Sequence, residues 1–289
     1  MVYLRSFTLA SQEAEESFWN SRSPKARRTC YTTHCPFGVF RRRCPGTFTF
    51  EPITIFYGGN GSGKSTLLNI IAQCLQLQRQ AVFNRTDFFD DYTALCAWEG
   101  GAVPEGSRIL TSDDVFDHVL GIRELNEGIH QKRAELFEEY TQARYGSMQM
   151  RSLADYEALC RTVDAQRKSA SQYVKGRLME NMPEQSNGES ALDFFTSAIG
   201  ENALYLLDEP ENSLSAARQL QLRDFLIQSA RFFRCQLILS THSPFLLSIP
   251  GARIYDLDES PAAVKKWTQL ENVRTYYDFF RAHEQEFES

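Results

Sequence analysis

The run Gly58-Gly59-Asn60-Gly61-Ser62-Gly63-Lys64-Ser65-Thr66 constrains this chain more than any other stretch of it. It follows the apolar segment Ile53-Thr54-Ile55-Phe56-Tyr57 and leads into Leu67-Leu68-Asn69-Ile70-Ile71, so a strand enters the glycine loop and a helix leaves it. A phosphate-binding loop needs that setting. Glycines let backbone N–H groups turn inward around phosphates, and the helix N-terminus adds its positive end. All nine residues, Gly58 to Thr66, then belong to the nucleotide cradle. Lys64 reaches the β- and γ-phosphates, and the Ser65 hydroxyl is a ligand for Mg²⁺. The pattern implies a nucleoside triphosphate and Mg²⁺.

A second constellation agrees with the first. Leu204-Tyr205-Leu206-Leu207 ends in Asp208-Glu209. An apolar strand ending in two acids sets both at the carboxyl edge of a sheet, beside the phosphate loop. Asp208 is then the second Mg²⁺ residue, and Glu209 the base that orients and deprotonates an attacking water. The segment 235–240 is another short apolar run, and an amphipathic stretch from Leu214 to Phe233 separates the two, giving strand–helix–strand with a right-handed crossover.

The rest of the chain reads more coarsely. Residues 1–10 alternate weakly and suggest an edge strand, residues 11–35 a loop-rich excursion, and Phe37 to Tyr57 a hairpin feeding the loop. The first helix is expected from Lys64 to about Leu77. From Thr111 the spacing of Val115, Val119, Ile122, Leu125, Ile129, Leu136 and Tyr140 predicts a helix to about Tyr145, and Leu153, Tyr156, Leu159, Val163, Ala170, Tyr173 and Leu178 predict a second. Two helices of roughly 30 residues, each about 45 Å long, make an antiparallel hairpin that projects from the core or a helical subdomain that lies against it.

Composition excludes several classes. With 42% hydrophobic and 24% charged residues the chain is globular, and no apolar run approaches the roughly 18–20 residues that span a bilayer. The first residues lack the order of a secretory signal, so a cytoplasmic location is expected. Seven cysteines are scattered, and the Cys30, His34, Cys35, Cys44 group fits no paired-cysteine zinc spacing, which points to reduced thiols. Residues 21–45 carry Arg22, Lys25, Arg27, Arg28, Arg41, Arg42 and Arg43 and no acid, in a chain of net charge −6. Such a segment either contacts a phosphate backbone, is a solvated loop, or pairs with an acidic partner surface, and the last two are favoured.

Three further motifs carry a family resemblance. Gln185-Ser186-Asn187-Gly188-Glu189-Ser190 resembles the signature motif of ATP-binding-cassette (ABC) ATPases, whose serine and glycine amides clamp the γ-phosphate of ATP bound to the opposite subunit. Asn187 stands where the commoner form has a glycine. Pro210-Glu211-Asn212-Ser213-Leu214-Ser215 resembles the loop through which ABC subunits touch, and His242 in Ser240-Thr241-His242-Ser243-Pro244 resembles the switch histidine that contacts the γ-phosphate. The wording of these motifs is similar to the soluble SMC/RecF/OLD-like group.

The resemblance implies an α/β fold, a P-loop NTPase of ABC-ATPase type with a mainly parallel sheet core. Residues 1–110 would form an N-terminal β-rich lobe with the phosphate loop, 111–182 an inserted helical hairpin, and 183–289 the lobe of the signature, the acid strand and the switch histidine. It implies ATP hydrolysis and an ATP-dependent head-to-tail homodimer. Each site would take Lys64, Ser65, Asp208, Glu209 and His242 from one chain, with Ser186 and Gly188 from the other. Such a clamp would act on nucleic acid or on a partner effector, in DNA repair or phage defence; the alternatives are an ABC transporter's ATPase subunit or a slow nucleotide-gated scaffold. A preference for ATP over GTP rests on the resemblance alone. The coupling glutamine of the family is open among Gln73, Gln76, Gln78 and Gln80.

Overall fold

The computed structural model describes residues 1–21, 25, 30–41, 46–146, 155–181 and 187–288. The chain divides into two compact units, Met1–Phe116 with Asn187–Ser289, and Asp117–Ser186.

The first unit holds two sheets. The larger has six strands in the order β5-β6-β7-β3-β8-β9. They are β3 (Ile53–Tyr57), β5 (Arg108–Thr111), β6 (Leu204–Asp208), β7 (Gln236–Ser240), β8 (Arg253–Asp256) and β9 (Ala263–Val264). All neighbours are parallel except β8 and β9. Both faces are covered, which is why β3 and β7 are buried along their whole length and read as unbroken apolar runs. Ile53, Ile55 and Tyr57 share one face with Leu207, Leu237 and Leu239, packed under α7 (Asn187–Ala198) and α8 (Ala216–Phe232). Phe56, Leu206 and Ile238 face the other way, onto Leu67, Leu68, Ile70 and Ile71 of α2 (Lys64–Cys74).

The smaller sheet is antiparallel, in the order β2-β1-β4, from β1 (Leu4–Thr8), β2 (Thr47–Thr49) and β4 (Ala97–Gly100). Gln236, at the start of β7 and fully buried, ties it to the large sheet. Its Oε1 accepts from Tyr3 N (2.7 Å) and Leu4 N (2.8 Å), and its Nε2 donates to Leu4 O (2.8 Å). One amide thus satisfies three buried backbone groups that the ladder of β1 leaves over.

Four expectations need correction. Strand β1 is the middle strand of its sheet and not an edge; a bulge between Leu4 and Ser6 against β4 lets both Leu4 and Phe7 point into the core, which blurs the alternation. The stretch after it is not all loop. Ser11 accepts from Ala14 N and caps α1 (Gln12–Asn20), with Glu13 and Glu15 in the first turn. The hairpin expected across Cys44-Pro45-Gly46 is not formed: its first run, as far as described (37–41), is turns rather than strand, and in the second run β2 pairs with β1 while β3 enters the other sheet. Helix α2 stops at Cys74, three residues early.

In the second unit the first predicted helix is present as α4 (Ser112–Tyr145), which begins in the first unit. The second is broken into α5 (Tyr156–Arg167) and α6 (Ala170–Lys175). Lys168 is extended, and Ser169 forms a capping box with Gln172 that restarts the helix. A small core of Leu136, Tyr140, Ala165, Tyr173 and Val174 holds these helices together. Arg177 covers the Tyr173 ring at 3.9 Å and bonds Glu139 at 3.1 Å.

Candidate functional site

Parallel pairing brings the ends of β3, β6, β7 and β8 to one edge. Phe56 and Asp208 both sit opposite Ser240, and Tyr57 sits opposite Asp256. The loop after β3, the acids ending β6 and the histidine following β7 are therefore neighbours by register. The loop closes into α2 through Gly63, at φ 96°, with no side-chain cap on the helix. The first amides of α2 thus keep their hydrogen-bonding capacity for an anion. At Gly63 a side chain would also press on the Phe40 ring at 3.0 Å. Asp258, two residues past β8, fixes the front of the loop by accepting from Gly59 N at 2.9 and 2.7 Å.

Lys64 is buried in the middle of this edge. Its Nζ donates to Gly58 O (2.8 Å) and Gly59 O (3.2 Å), and lies 2.8 Å from His242 Nε2 and 3.8 Å from Glu209 Oε1. An ammonium only donates, so His242 Nε2 accepts and the ring proton sits on Nδ1. Burial, and then the Lys64 charge, hold the imidazole below its ordinary pKa. Burial likewise lowers that of Lys64, opposed chiefly by Glu209. Glu209 Oε1 is also 3.4 Å from His242 Nε2.

Ser65 Oγ donates to Asp208 Oδ1 at 3.1 Å, and Ser240 Oγ donates to the same oxygen. Burial raises the Asp208 carboxyl, and the two hydroxyls pull it back toward the charged form. The pair of oxygens suits a hard cation that completes its shell with phosphate oxygens and water, so the residues present fit Mg²⁺ with a nucleotide. Glu209 has a left-handed backbone, φ 48°, held by its N–H on Ser240 O at 3.1 Å. Backbone strain of this kind gathers at working sites.

Two cavities meet at Ser65, Thr66 and Glu209. One of about 270 Å³ is lined by Asn60, Gly61, Gly63, Lys64, Ser65, Thr66 and Glu209. The other, about 390 Å³, adds Asn69, Arg79, Asn84 and Asp208. Ser62 lies inside the loop, tight against Gly58, and lines neither. Gly188 lines neither; its Cα side faces Ser213 O, where a Cβ would come within 3.0 Å. Ser186 falls outside the described residues.

Several contributors were not legible in the motifs. Glu211 Oε1 accepts from His242 N (2.6 Å) and Ser243 N (3.2 Å), and Asn272 Nδ2 donates to His242 O (3.2 Å), so the histidine's backbone is gripped from both sides. Burial pushes the Glu211 carboxyl up. Arg79 brings a second cation, held by Asn69 and stacked over Phe83 at 4.1 Å. None of Gln73, Gln76, Gln78 and Gln80 lines either cavity; Gln78 donates its amide to Glu105 O at 3.0 Å, and the carboxamides that do line the walls are Asn60, Asn69 and Asn84. Of the basic segment, Lys25 pairs with Asp91 (2.6 Å) and Arg41 with Glu15 (3.1 Å); its other five cations, and Cys44, lie outside the described residues. His34 packs its ring on Trp19 and Phe88.

Comparison with known proteins follows these residues. Residues 37–98 match the family model described as "AAA domain", and residues 168–248 match "AAA domain, putative AbiEii toxin, Type IV TA system". The first segment holds the phosphate loop; the second holds the signature, the acid pair and His242. Both parts of the site thus fall within AAA-domain family models. No curated protein matches the chain. Among solved structures, the chain is similar to the Smc head domain with an extended coiled coil bound to the C-terminal domain of ScpA, from Pyrococcus furiosus. That likeness is at 13% identity over 97% of this chain and 100% of that one, with a TM-score of 0.44. A nucleotide-free ATP-binding cassette from an ABC transporter is 11% identical over 96% of each chain, TM-score 0.42. The cassette MJ0796, a dimer bound to ADP and Pi, is 15% identical over 78% of this chain and 90% of that one, TM-score 0.36. Among the described residues no helix is long and apolar enough to cross a membrane.

Proposed function

We propose that this chain hydrolyses ATP with Mg²⁺ as a cytoplasmic head-to-tail homodimer that acts on nucleic acid or on a partner effector protein. One observation carries the hydrolytic reading: at one sheet edge Lys64, Glu209 and His242 lie within 2.8 to 3.8 Å of one another, and Ser65 lies 3.1 Å from Asp208. Lys64, which donates to two loop carbonyls and to His242, would turn the donor now on His242 to the β- and γ-phosphates. Ser65 and Asp208 would hold Mg²⁺, which supplies charge neutralisation on the phosphates. Glu209 would take a proton from water as its oxygen bonds to Pγ and the bond from Pγ to the bridging oxygen breaks, the electron pair leaving on ADP. Once Lys64 turns to the nucleotide, His242 Nε2 would no longer be needed as its acceptor, and the neutral ring in its other tautomer would donate from Nε2 to the γ-phosphate.

Support for a shared site comes from Gly188, which lines neither cavity of its own chain and so is free to serve a second one. Phosphate release and static light scattering, with and without Mg-ATP, test the reading together. Turnover with ATP-dependent doubling of mass is expected. Turnover by a species that stays monomeric at every ATP concentration would sink the dimer, and nucleotide binding without turnover would sink the hydrolase.

A further inference from the structure

Helix α10 (Glu271–Ala282) starts without a side-chain cap, because Leu270 at its N-cap position has no polar atom to offer. Its first amides must find acceptors elsewhere. One of them, Asn272 N, donates to the Tyr57 hydroxyl at 3.0 Å. Tyr57 is the buried last residue of β3, directly before Gly58 of the phosphate loop, and its own carbonyl accepts from Leu257 N at 2.8 Å. The Asn272 side chain reaches the other way, where Nδ2 donates to His242 O at 3.2 Å. One residue thus spans the root of the phosphate loop and the switch histidine.

The seat of this residue is firm. Its neighbours Leu270 and Val273 are both buried, in the same apolar cluster as Tyr57, Leu246 and Leu247. His242 itself lies past the end of β7 and outside regular structure, so its peptide plane is set by what bonds its N–H and C=O. Rotation of that plane swings the imidazole. The ring meets Lys64 at 2.8 Å, and Lys64 is carried by the helix that leaves the phosphate loop. That contact survives only while the two backbones keep their separation.

We propose that Asn272 is the positioning residue of His242: it ties the histidine to the strand that carries the phosphate loop, and so holds the ring on Lys64 in the free protein and beside the γ-phosphate when nucleotide is bound. The second half rests on the hydrolytic reading; the first half does not.

The two halves are tested separately. Long-range proton–nitrogen NMR of the nucleotide-free chain with ¹⁵N-histidine, at about pH 8.5 where imidazoles are neutral, reports the ring tautomer. The signals lost in His242→Gln assign the residue. The parent ring is expected as one tautomer with its proton on Nδ1, because Lys64 occupies Nε2. Asn272→Ala removes the tie and should leave a mixture of tautomers. Asn272→Asp, of the same size but without the donor, should do the same, whereas a role in packing alone would survive that exchange. Phosphate release reads the second half: both variants should lower kcat about five- to tenfold, with ATP affinity within about twofold of the parent. A parent ring already mixed, or variants that keep the parent tautomer, would overturn the assignment whatever the turnover. A loss of ATP affinity matching the loss of kcat would place Asn272 in support of the loop alone and overturn it too. A mixed ring with unchanged kcat would overturn the nucleotide-bound half. No turnover by a parent that shows the expected tautomer would sink the hydrolase and leave the positioning of His242 standing.

Discussion

Replacing Glu209 by Gln tests the chemistry with the least disturbance of the fold. The left-handed turn that presents residue 209 is held by its own N–H on Ser240 O (3.1 Å), which a side-chain change leaves alone. The amide keeps an acceptor toward Lys64, and it loses at most the exposed bond from Asn212 Nδ2 to Oε2 (3.2 Å), worth about 1 kcal/mol. What disappears is the base. General-base catalysis contributes about 10²–10⁴-fold, equivalent to about 2.7–5.5 kcal/mol of activation free energy. Removing a negative charge 3.8 Å from the Lys64 ammonium also leaves that cation freer to attract phosphate, so nucleotide affinity should hold or rise. The assay pairs phosphate release with calorimetric titration of ATP. A fall in kcat of at least about a hundredfold with unchanged or tighter binding is expected, together with a dimer that persists in ATP. Activity within tenfold of the parent would refute the assignment of Glu209 as base, and a matching loss of affinity would show that it acts in binding.

Lys64→Ala removes charge-assisted bonds to phosphate and should weaken nucleotide binding by about 10–150-fold in a fluorescent-nucleotide titration. Ser186→Arg should leave the monomer's affinity nearly normal while turnover collapses; mixing it with Lys64→Ala should restore part of the activity, because one composite site then carries neither defect, and no recovery in proven heterodimers would exclude shared sites. Gln236→Leu orphans Tyr3 N, Leu4 N and Leu4 O, which should cost about 3 kcal/mol or more in urea unfolding; a loss under 1 kcal/mol would mean that β1 finds other partners. His242, held below its ordinary 6.5 by burial and Lys64, should stay neutral at pH 7 in an NMR titration. Since the unfolded chain binds that proton first, the associated stability is complete above about pH 6.5 and falls as pH drops toward the folded value; an upward-shifted imidazole would contradict the Lys64 contact.

The site was legible where its residues are consecutive and illegible where they are brought in from afar. Gly58 to Thr66, Asp208-Glu209 and Ser240-Thr241-His242 each sit at the end of a strand, and apolar runs announce strands buried on both faces. Nothing local marks Asp258, whose partner Gly59 is 199 positions away, or Gln236, which serves residues at the chain's beginning. The coupling glutamine was not legible because the carboxamides that the fold brings to the cavity walls are asparagines, Asn60, Asn69 and Asn84. Helix α1 was hidden by its polarity: only Glu15 is buried in it, and that carboxylate is taken up by Gly38 N and Arg41. The break in the second long helix had a local signal in Ser169 and Gln172, outweighed by the apolar spacing on either side.

Strand β7 joins two distant parts of the first unit by the shortest covalent route available. Gln236 at its beginning grips Tyr3 and Leu4, and Ser240 at its end bonds Asp208, with His242 two residues on. A five-residue strand is about 17 Å of stiff, fully hydrogen-bonded backbone, flanked on both sides by parallel neighbours. It therefore links the first residues of the chain to the serine at the nucleotide edge through one stiff element with no loop between them.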